Sequence, residues 1–292
     1  MLVRLVCLTR YGQERVVARI QFHLVELEER RLTSPDRGVE TNRSLERGIA
    51  ILRAFRPGVG ELGNSEIAER TRLPKATVSR LTQTLVEAGI LERDPVRRVY
   101  RLAPSVLGFA HAMRLSSPVL PVLTPLMRAE ATRRHVNVGL AAADGDMMIY
   151  LESFRYSPRA SFRTVVSGQR VSMELTSLGR AYLWSLPPDA RAREFALIAE
   201  RRARTSPQIL AEIEESFDEL DRLGYCAVRW QPGVAAAAAP ILVPGRAPLA
   251  LNMSVSGSEP LSEIGPQLGG WLVKLHAQCL TQLDHDMAGD PA

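Results

Sequence analysis

The sequence predicts an α+β protein of two domains, a winged helix-turn-helix followed by a larger domain with a mainly antiparallel sheet. Its 292 residues exceed the usual length of a single domain. Residues 41–103 contain three helical patterns, two of them separated by a tight turn, and then a hairpin. Beyond residue 135, strand patterns joined by short turns alternate with later helices, which is typical of the α+β class.

Composition and cysteine use restrict the class of protein further. Apolar residues make up 46% of the chain and charged residues 24%, as in ordinary globular domains. Cys7, Cys226 and Cys279 are odd in number and far apart, so they predict neither a disulfide framework nor a CxxC metal site, and we expect a reducing, cytoplasmic setting. The longest apolar run, residues 234–243, is far shorter than the roughly 20 residues of a membrane span. We therefore expect no membrane partner.

Residues 1–40 are predicted to be an extension that precedes the domains. Short apolar pieces alternate there with the charge cluster at residues 28–31, and the segment ends in the turn-rich residues 34–38. Ser44 is then predicted to cap the first helix of the winged domain, and Pro57 ends it. The apolar residues of this helix recur at a helical period: Leu45, Ile49, Leu52 and Phe55.

The next two helices form the predicted helix-turn-helix. Asn64 or Ser65 is expected to cap a short helix that buries Ile67 and Ala68. A break at residues 72–74 separates it from a helix over residues 75–88, which Gly89 ends. On a helical wheel, the buried stripe of this third helix consists of Val78, Leu81, Leu85 and Ala88.

A hairpin and a connecting helix complete the N-terminal half. Strands over residues 90–93 and 99–102 flank a polar turn and make the module of residues 41–103 winged. Pro104 suits the first turn of the next helix, which we place as a linker over residues 104–118. The linker helix is expected to bury Val106, Leu107, Phe109, Ala110 and Met113.

The remaining chain, residues 119–292, is predicted to form the second domain. After a helix that ends near Arg134, the strand patterns cover residues 136–143, 147–154, 163–171, 225–228, 235–243 and 247–255. The helical patterns cover residues 176–186, 189–202, 207–223 and 259–283.

Basic charge concentrates in the winged module. The chain has a formal net charge of +5 at pH 7, and residues 41–101 hold twelve basic and seven acidic residues, so this segment accounts for the whole excess. Such a concentration indicates a polyanionic partner. The alternative is that arginine is simply the common surface cation of this protein, because only Lys75 and Lys274 are lysines.

The exposed face of the third helix fits a DNA major groove. Opposite the buried stripe lie Ala76, Ser79, Arg80, Gln83 and Glu87. Arginine pairs with guanine, glutamine with adenine and serine with either, while a small alanine admits a thymine methyl group. Lys75 and Thr77, in the first turn, are placed for phosphates, and Arg97 and Arg98 for the minor groove or the backbone. Each residue alone also fits a solvated surface, but together they predict a double-stranded DNA operator as partner.

Three segments carry a resemblance to a known family. They are SLERGIAIL at residues 44–52, IAERTRLPKATVSRL at residues 67–81 and YRL at residues 100–102. Together they closely resemble the winged-helix domain of IclR-family transcriptional regulators, and the resemblance extends over roughly residues 41–283. It implies a C-terminal effector-binding domain with a GAF/profilin-like α/β fold, a connecting helix, and a homodimer or a dimer of dimers.

The resemblance also implies where an effector binds. Residues 176–181 resemble the family's glycine-bearing helix start, residues 233–240 resemble the strand that lines its pocket, and residues 254–257 resemble its paired pocket serines. The implied effector contacts are Ser177, Leu178, Gly179, Ala236, Ser254 and Ser256.

The residues themselves favour a small organic acid in that region. Ser254 and Ser256 lie two apart on a strand, so both hydroxyls face one side of the sheet. The helix start after Thr176 offers backbone N–H groups, which suit a carboxylate. Five consecutive alanines, residues 235–239, leave volume that side chains do not fill. From the residues alone, the serines also fit solvated strand positions, and the alanines fit close packing of a helix on the sheet.

Patterns for catalysis and metal binding are weak. A serine hydrolase would carry GxSxG, which the sequence lacks. His276 and Cys279 lie three apart on a helix without a further histidine and cysteine cluster, and Cys226 fits a core position. We predict a ligand-responsive transcriptional regulator that is not an enzyme and binds no cofactor or metal. The alternatives are an effector-independent DNA-binding or scaffolding protein and an enzymatic domain fused to a DNA-binding head.

Overall fold

A computed structural model of the protein describes residues 42–156 and 166–288. The described residues form two compact units, which meet in sequence between residues 121 and 122. The predicted extension over residues 1–40 and the first three residues of the extended pattern at residues 163–171 lie outside the described residues.

The first unit is a winged helix-turn-helix. Its elements are α1 (Arg43–Ala54), β1 (Leu62–Gly63), α2 (Asn64–Thr71), α3 (Lys75–Glu87), β2 (Leu91–Asp94), β3 (Val99–Leu102) and α4 (Val106–Leu115). The strands pair antiparallel in the order β1-β3-β2, so β3 is central. The wing is the turn between β2 and β3.

Two helix caps differ from the sequence prediction. Asn42 caps α1, because its Oδ1 accepts hydrogen bonds from the backbone N–H of Ser44 at 3.0 Å and of Leu45 at 3.2 Å. Ser44 therefore lies inside the helix. The cap of α2 is Gly63, whose N–H donates to Oε2 of Glu66 at 2.7 Å, and not Asn64 or Ser65. In both cases the helix begins earlier than predicted.

The core of the first unit takes up only part of the apolar period that spacing predicts for α1. The core residues are Ile51, Ala54, Phe55, Leu62, Ile67, Ala68, Val78, Leu91 and Tyr100. Phe55 lies in the core and Leu52 packs against it, as the spacing predicts. Leu45 and Ile49 are 63% and 44% exposed, so the first half of the predicted period is not covered. In α3, Thr82 is buried and Ala88 is exposed. Thr82 is tolerated there because its hydroxyl donates to the carbonyl of Val78 at 2.9 Å.

The predicted burial of the linker helix is wrong. No residue of α4 is buried, although the helix is strongly apolar. Leu107 is 72% exposed, Phe109 66%, Met113 46% and Leu115 72%. Periodicity identified the helix but not what covers it, because the described residues provide no packing partner for these side chains.

The second unit is an antiparallel sheet with helices on both faces. Its elements are α5 (Val119–Arg134), β4 (Asn137–Asp144), β5 (Met147–Phe154), β6 (Arg170–Ser172), α6 (Ser177–Ser185), α7 (Pro188–Arg201), α8 (Ser206–Leu223), β7 (Cys226–Gln231), β8 (Val234–Ile241), β9 (Leu249–Ser256) and α9 (Leu261–Ala288). The strands follow the order β6-β5-β4-β9-β8-β7, and each neighbouring pair is antiparallel.

Strand β8 is covered on both faces. Cys226 pairs with Ala238 across β7 and β8, and its thiol contacts the carbonyl of Ser177 at 3.6 Å, so this face is turned toward α6. The opposite face is turned toward α9, because a Cβ built at Gly265 would lie 3.3 Å from the Cβ of Ala227. All of residues 235–239 are at most 2% exposed. The alanines thus permit close helix packing on both sides.

Among the described residues, no single helix is long and apolar enough to cross a membrane. In the described part of the chain, one pair of helices, α4 and α5, meets that test of length and composition when taken together, although the chain bends by 90° between them.

The close approach of α6 to the chain before it predicts a sharp difference between two glycines. A Cβ built at Gly179 would overlap the carbonyl oxygen of Met173, whereas a Cβ at Gly270 in α9 would meet open space. Gly179→Ala is expected to lower the free energy of unfolding by at least about 2 kcal/mol, because backbone atoms must move. Gly270→Ala is expected to raise it by up to about 1 kcal/mol. Urea denaturation followed by circular dichroism measures both, and equal effects would contradict the packing at Gly179.

Candidate DNA interface and effector site

The solvent-facing side of α3 carries the residues predicted to read DNA. Lys75, Ala76, Ser79, Arg80 and Gln83 are exposed, and Thr77 is partly buried. The opposite side of the helix packs into the core of the unit. The structure therefore presents the predicted residues as one continuous polar face.

Part of this face is organised before any ligand binds. Nε2 of Gln83 donates a hydrogen bond to Oε1 of Glu87 at 3.0 Å, which restricts the rotamer of the glutamine. In contrast, Lys75 and Arg80 make no ion pair with any residue that the structure describes. A cation without an internal partner is available to a phosphate or a base edge.

The wing is built around Asp94. Its Oδ1 accepts hydrogen bonds from the N–H of Val96 at 2.9 Å and of Arg97 at 3.0 Å. The bond from the N–H of Arg97 is the largest cause that holds the pKa of Asp94 below its ordinary value. The carboxylate is therefore ionised at neutral pH and keeps the turn closed.

The two arginines at the wing tip differ in their surroundings. The guanidinium of Arg97 forms an ion pair with Glu61. Arg98 is exposed, adopts a positive φ of 56° and has no hydrogen bond or ion pair with the described residues. The spacing of residues could not distinguish them, because the pairing depends on where β1 places Glu61.

Two of the predicted effector residues, Ser254 and Ala236, lie in one register row of the sheet. Asn137, Ser254 and Ala236 are Cα partners on the adjacent strands β4, β9 and β8, so their side chains share one face. Ser256 pairs with Val234 at the exposed end of the same face. This is the face turned toward α6.

The start of α6 is buried. Ser177 and Leu178 are each 1% exposed, and Leu178 belongs to the hydrophobic core. The N–H of Gly179 donates to Oγ1 of Thr176 at 3.3 Å, so one of the donors expected to be free is already used. The hydroxyl of Ser177, however, is buried without a hydrogen-bond partner among the described residues. A buried polar group of this kind calls for a ligand or water.

Sequence analysis missed four residues on this face, which are Asn137, Gly139, Tyr150 and Asn252. Oδ1 of Asn137 is buried without a partner in the described part of the chain. Nδ2 of Asn252 donates to the phenolic oxygen of Tyr150 at 3.3 Å, and the Tyr150 ring lies where a Cβ at Gly139 would be. Burial raises the pKa of Tyr150 to about 12, so the phenol stays neutral. The alternation of Asn252, Ser254 and Ser256 with apolar residues was a signal that could have found the asparagine.

Buried charges hold the start of α6 against its neighbours. Arg180, 6% exposed, donates to Oε2 of Glu212 at 2.8 Å and to the hydroxyl of Ser216 at 3.0 Å in α8. Glu174, just before α6, pairs with Arg202 at 2.9 Å. Burial raises the pKa of Glu174, but hydrogen bonds from its own backbone N–H and from Arg202 outweigh this and leave the pKa below its ordinary value. These pairs fix one wall of the candidate site.

The two described cysteines are buried, and His276 is partly buried. Burial raises the pKa of both Cys226 and Cys279 to about 12, so their thiols are protonated at neutral pH and are poor nucleophiles. Nε2 of His276 contacts the carbonyl of Pro240 at 2.8 Å, and burial lowers its pKa. Within residues 42–156 and 166–288, no three His, Cys, Asp or Glu side chains lie close enough to hold a metal ion.

Comparison with known proteins decides the family. Residues 44–95 match the model of the IclR helix-turn-helix domain. The chain is 30% identical over 217 residues to the Pca regulon regulatory protein of Pseudomonas putida, which covers 72% of this chain and 73% of that protein. The chain belongs to the IclR family. The family and the winged architecture predicted from the sequence are thereby confirmed.

Solved structures of IclR proteins show that the resemblance extends to both units. An IclR-family transcriptional regulator from Brucella abortus is 30% identical, with a TM-score of 0.73 over 84% of this chain and 95% of that one. An IclR homolog from Microbacterium hydrocarbonoxydans, complexed with 4-hydroxybenzoate, shares the fold at 20% identity, with a TM-score of 0.63 over 85% and 100% of the two chains. This protein is thus an IclR-type, DNA-binding transcriptional regulator with an effector-binding domain, and its predicted α+β fold is confirmed.

The matched domain contains α3 but ends before the wing tip. Residues 44–95 include every predicted contact of α3, from Lys75 to Gln83, whereas Arg97 and Arg98 follow the matched segment. The role of the wing arginines therefore depends on the geometry of this protein alone.

Proposed function

We propose that this IclR regulator reads its operator with α3 and the Arg98 wing, and that a small organic acid bound between α6 and the sheet modulates this binding. The observation that carries the first part is the continuous exposed face of α3, whose cations have no ion-pair partner among the described residues. Arg80 and Gln83, with Ser79 and Ala76, face base edges. Lys75, Thr77 and Arg98 contact phosphates, where positive charge contributes to affinity whatever the DNA sequence.

Arg97 has a smaller part in this proposal than Arg98. A phosphate must compete with Glu61 for its guanidinium, so the net gain from an Arg97 contact is reduced by the ion pair that is lost. Arg98 has no such competitor among the described residues.

Substitutions in α3 and the wing separate base contacts from phosphate contacts. Arg80→Ala and Gln83→Ala are each expected to cost roughly 1–3 kcal/mol on the operator and to relax preference at one base pair. Lys75→Ala and Arg98→Ala are expected to weaken binding to all sequences alike and to lower the salt slope by about 1, whereas Arg97→Ala lowers it less. Fluorescence anisotropy on operator and random duplexes at several salt concentrations measures both effects. Equal losses from Arg80→Ala on operator and random DNA would contradict the groove assignment.

The exposed apolar side chains of α4 support a homodimer. Leu107, Phe109, Met113 and Leu115 leave a helix of ten residues without a buried position, which is costly for a helix exposed to water. A second copy of the same helix is a self-complementary partner, because a two-fold interface pairs identical surfaces. Two winged units held in this way would contact two operator half-sites.

Charged residues on α4 test the dimer. The double substitution Leu107→Glu and Phe109→Glu is expected to produce a folded monomer, since both side chains are exposed and the core loses nothing. Operator affinity is expected to fall about a hundredfold, because the half-sites are no longer bound together. Light scattering gives the mass, and Leu197→Glu, at an equally apolar exposed position in α7, is the control. A dimer that persists in the double variant would contradict the proposal.

Several polar groups support an effector site on the α6 face of the sheet. Ser177 and Asn137 each have a buried oxygen without a partner in the described chain, and Ser254 lies between Asn137 and Ala236 in one row. Tyr150 accepts from Asn252, so its own proton remains available to a ligand oxygen. Hydroxyl and amide donors around small residues suit a carboxylate. One IclR homolog of this fold is complexed with 4-hydroxybenzoate, which is an acid of this class.

A serine substitution tests the effector site. Acids of aromatic and aliphatic type, including 4-hydroxybenzoate, are first screened by thermal shift, because a ligand that binds the folded state raises its melting temperature. For a hit, the Ser254→Ala and Ser256→Ala double variant is expected to lose about 1–3 kcal/mol of binding in calorimetry, because the carboxylate loses donors.

The same variant must retain its DNA binding. Operator affinity without effector is expected to change little, because the removed contacts act only on the liganded state. Ser258→Ala, at an exposed serine beyond β9, is the matched control. Unchanged effector affinity in the double variant would place the pocket elsewhere.

A further inference from the structure

Three residues other than glycine adopt left-handed backbone conformations in the described chain. They are Arg72 with φ 56°, Arg98 with φ 56° and His135 with φ 59°. This conformation is costly for a residue with a Cβ, and glycine is the usual residue at such helix ends and turns. A side chain kept at such a position is expected to make an interaction that offsets the strain.

His135 has such an interaction within the protein. Its ring stacks on that of Tyr156, with centroids 4.1 Å apart and an angle of 24° between the planes. Arg72 and Arg98 differ, because both are exposed and the side chain of neither has a hydrogen bond or an ion pair with the described residues. Nothing that the structure describes within the winged unit offsets the strain at these two arginines.

Arg72 lies at the C-terminal cap of α2, in the turn that leads into α3. In a helix-turn-helix, the second helix enters the major groove by its N-terminal residues while the first crosses the DNA backbone. The turn between them therefore lies at the edge of the groove, beside phosphates. The nearby Arg70 is already used, because it donates to the carbonyl of Ala54 at 3.3 Å. Arg72 is therefore a cation at this end of α2 whose side chain has no partner among the described residues.

We infer that Arg72 is a DNA phosphate contact, held in the left-handed conformation by the turn and stabilised only when DNA is bound. This inference rests on the proposed function of α3 as the groove helix. It adds a residue outside α3 and the wing to the interface. The arrangement parallels Arg98, the other exposed left-handed arginine of the unit, so that strained arginines lie both before α3 and at the wing tip.

Replacement by glycine separates strain from binding. Arg72→Gly is expected to raise the melting temperature by roughly 2–4 °C, because the left-handed conformation costs glycine nothing. The same variant is expected to bind operator and random DNA about three- to tenfold more weakly and to lower the salt slope by about 1. Arg72→Lys keeps the charge and is expected to keep the slope, while Arg72→Asn tolerates the conformation without the charge and behaves like glycine.

The controls distinguish this contact from a general effect of charge. Arg246→Ala removes one positive charge at an exposed position of the second unit and is expected to leave the salt slope unchanged. If Arg72→Gly stabilises the protein with an unchanged slope while Lys75→Ala and Arg98→Ala still lower it, the inference is wrong and the proposed function stands. If none of the three lowers the slope, the interface itself is wrongly assigned and the inference fails with it.

Discussion

The second unit depends on a strand that must be packed on both faces at once. Strand β8 lies between α6 and α9, and residues 235–239 are all alanine and almost fully buried. Larger side chains would push one helix away from the sheet, because protein interiors are close-packed. Gly179 likewise permits close packing at the start of α6, because a Cβ there would overlap the backbone of Met173. Close packing thus brings the buried Ser177 to the face of the sheet that carries Ser254.

The winged unit depends on which of its cations are used internally. Arg70, Arg97 and Arg101 hold a carbonyl or a carboxylate of the unit, and these contacts fix the end of α2 and the hairpin. Lys75 and Arg80 have no such partner among the described residues. Cations that make no contact within the folded unit remain available to DNA. The same residue type is therefore structural at one position and available to DNA at another.

The apolar side chains of α4 follow the same principle. Folding of the winged unit leaves Leu107 and Phe109 exposed, although water is an unfavourable surrounding for them. In the proposed homodimer, a second copy of α4 supplies the packing partner that this helix lacks among the described residues. In that proposed dimer, the exposed apolar side chains of α4 hold together the two winged units that carry the positive charge.

The sequence by itself determined the element order, the winged module and the family. Helical and strand periods placed most elements to within a few residues, because period depends on local backbone geometry. Tertiary structure decided what each face meets. Leu45 and Leu107 follow helical periods yet are exposed, since burial depends on a packing partner elsewhere in the chain. Likewise, only the position of β1 pairs Glu61 with Arg97 rather than Arg98, and only the register of β4 and β9 brings Asn137 beside Ser254. These pairings join residues distant in sequence, and no local pattern encodes them.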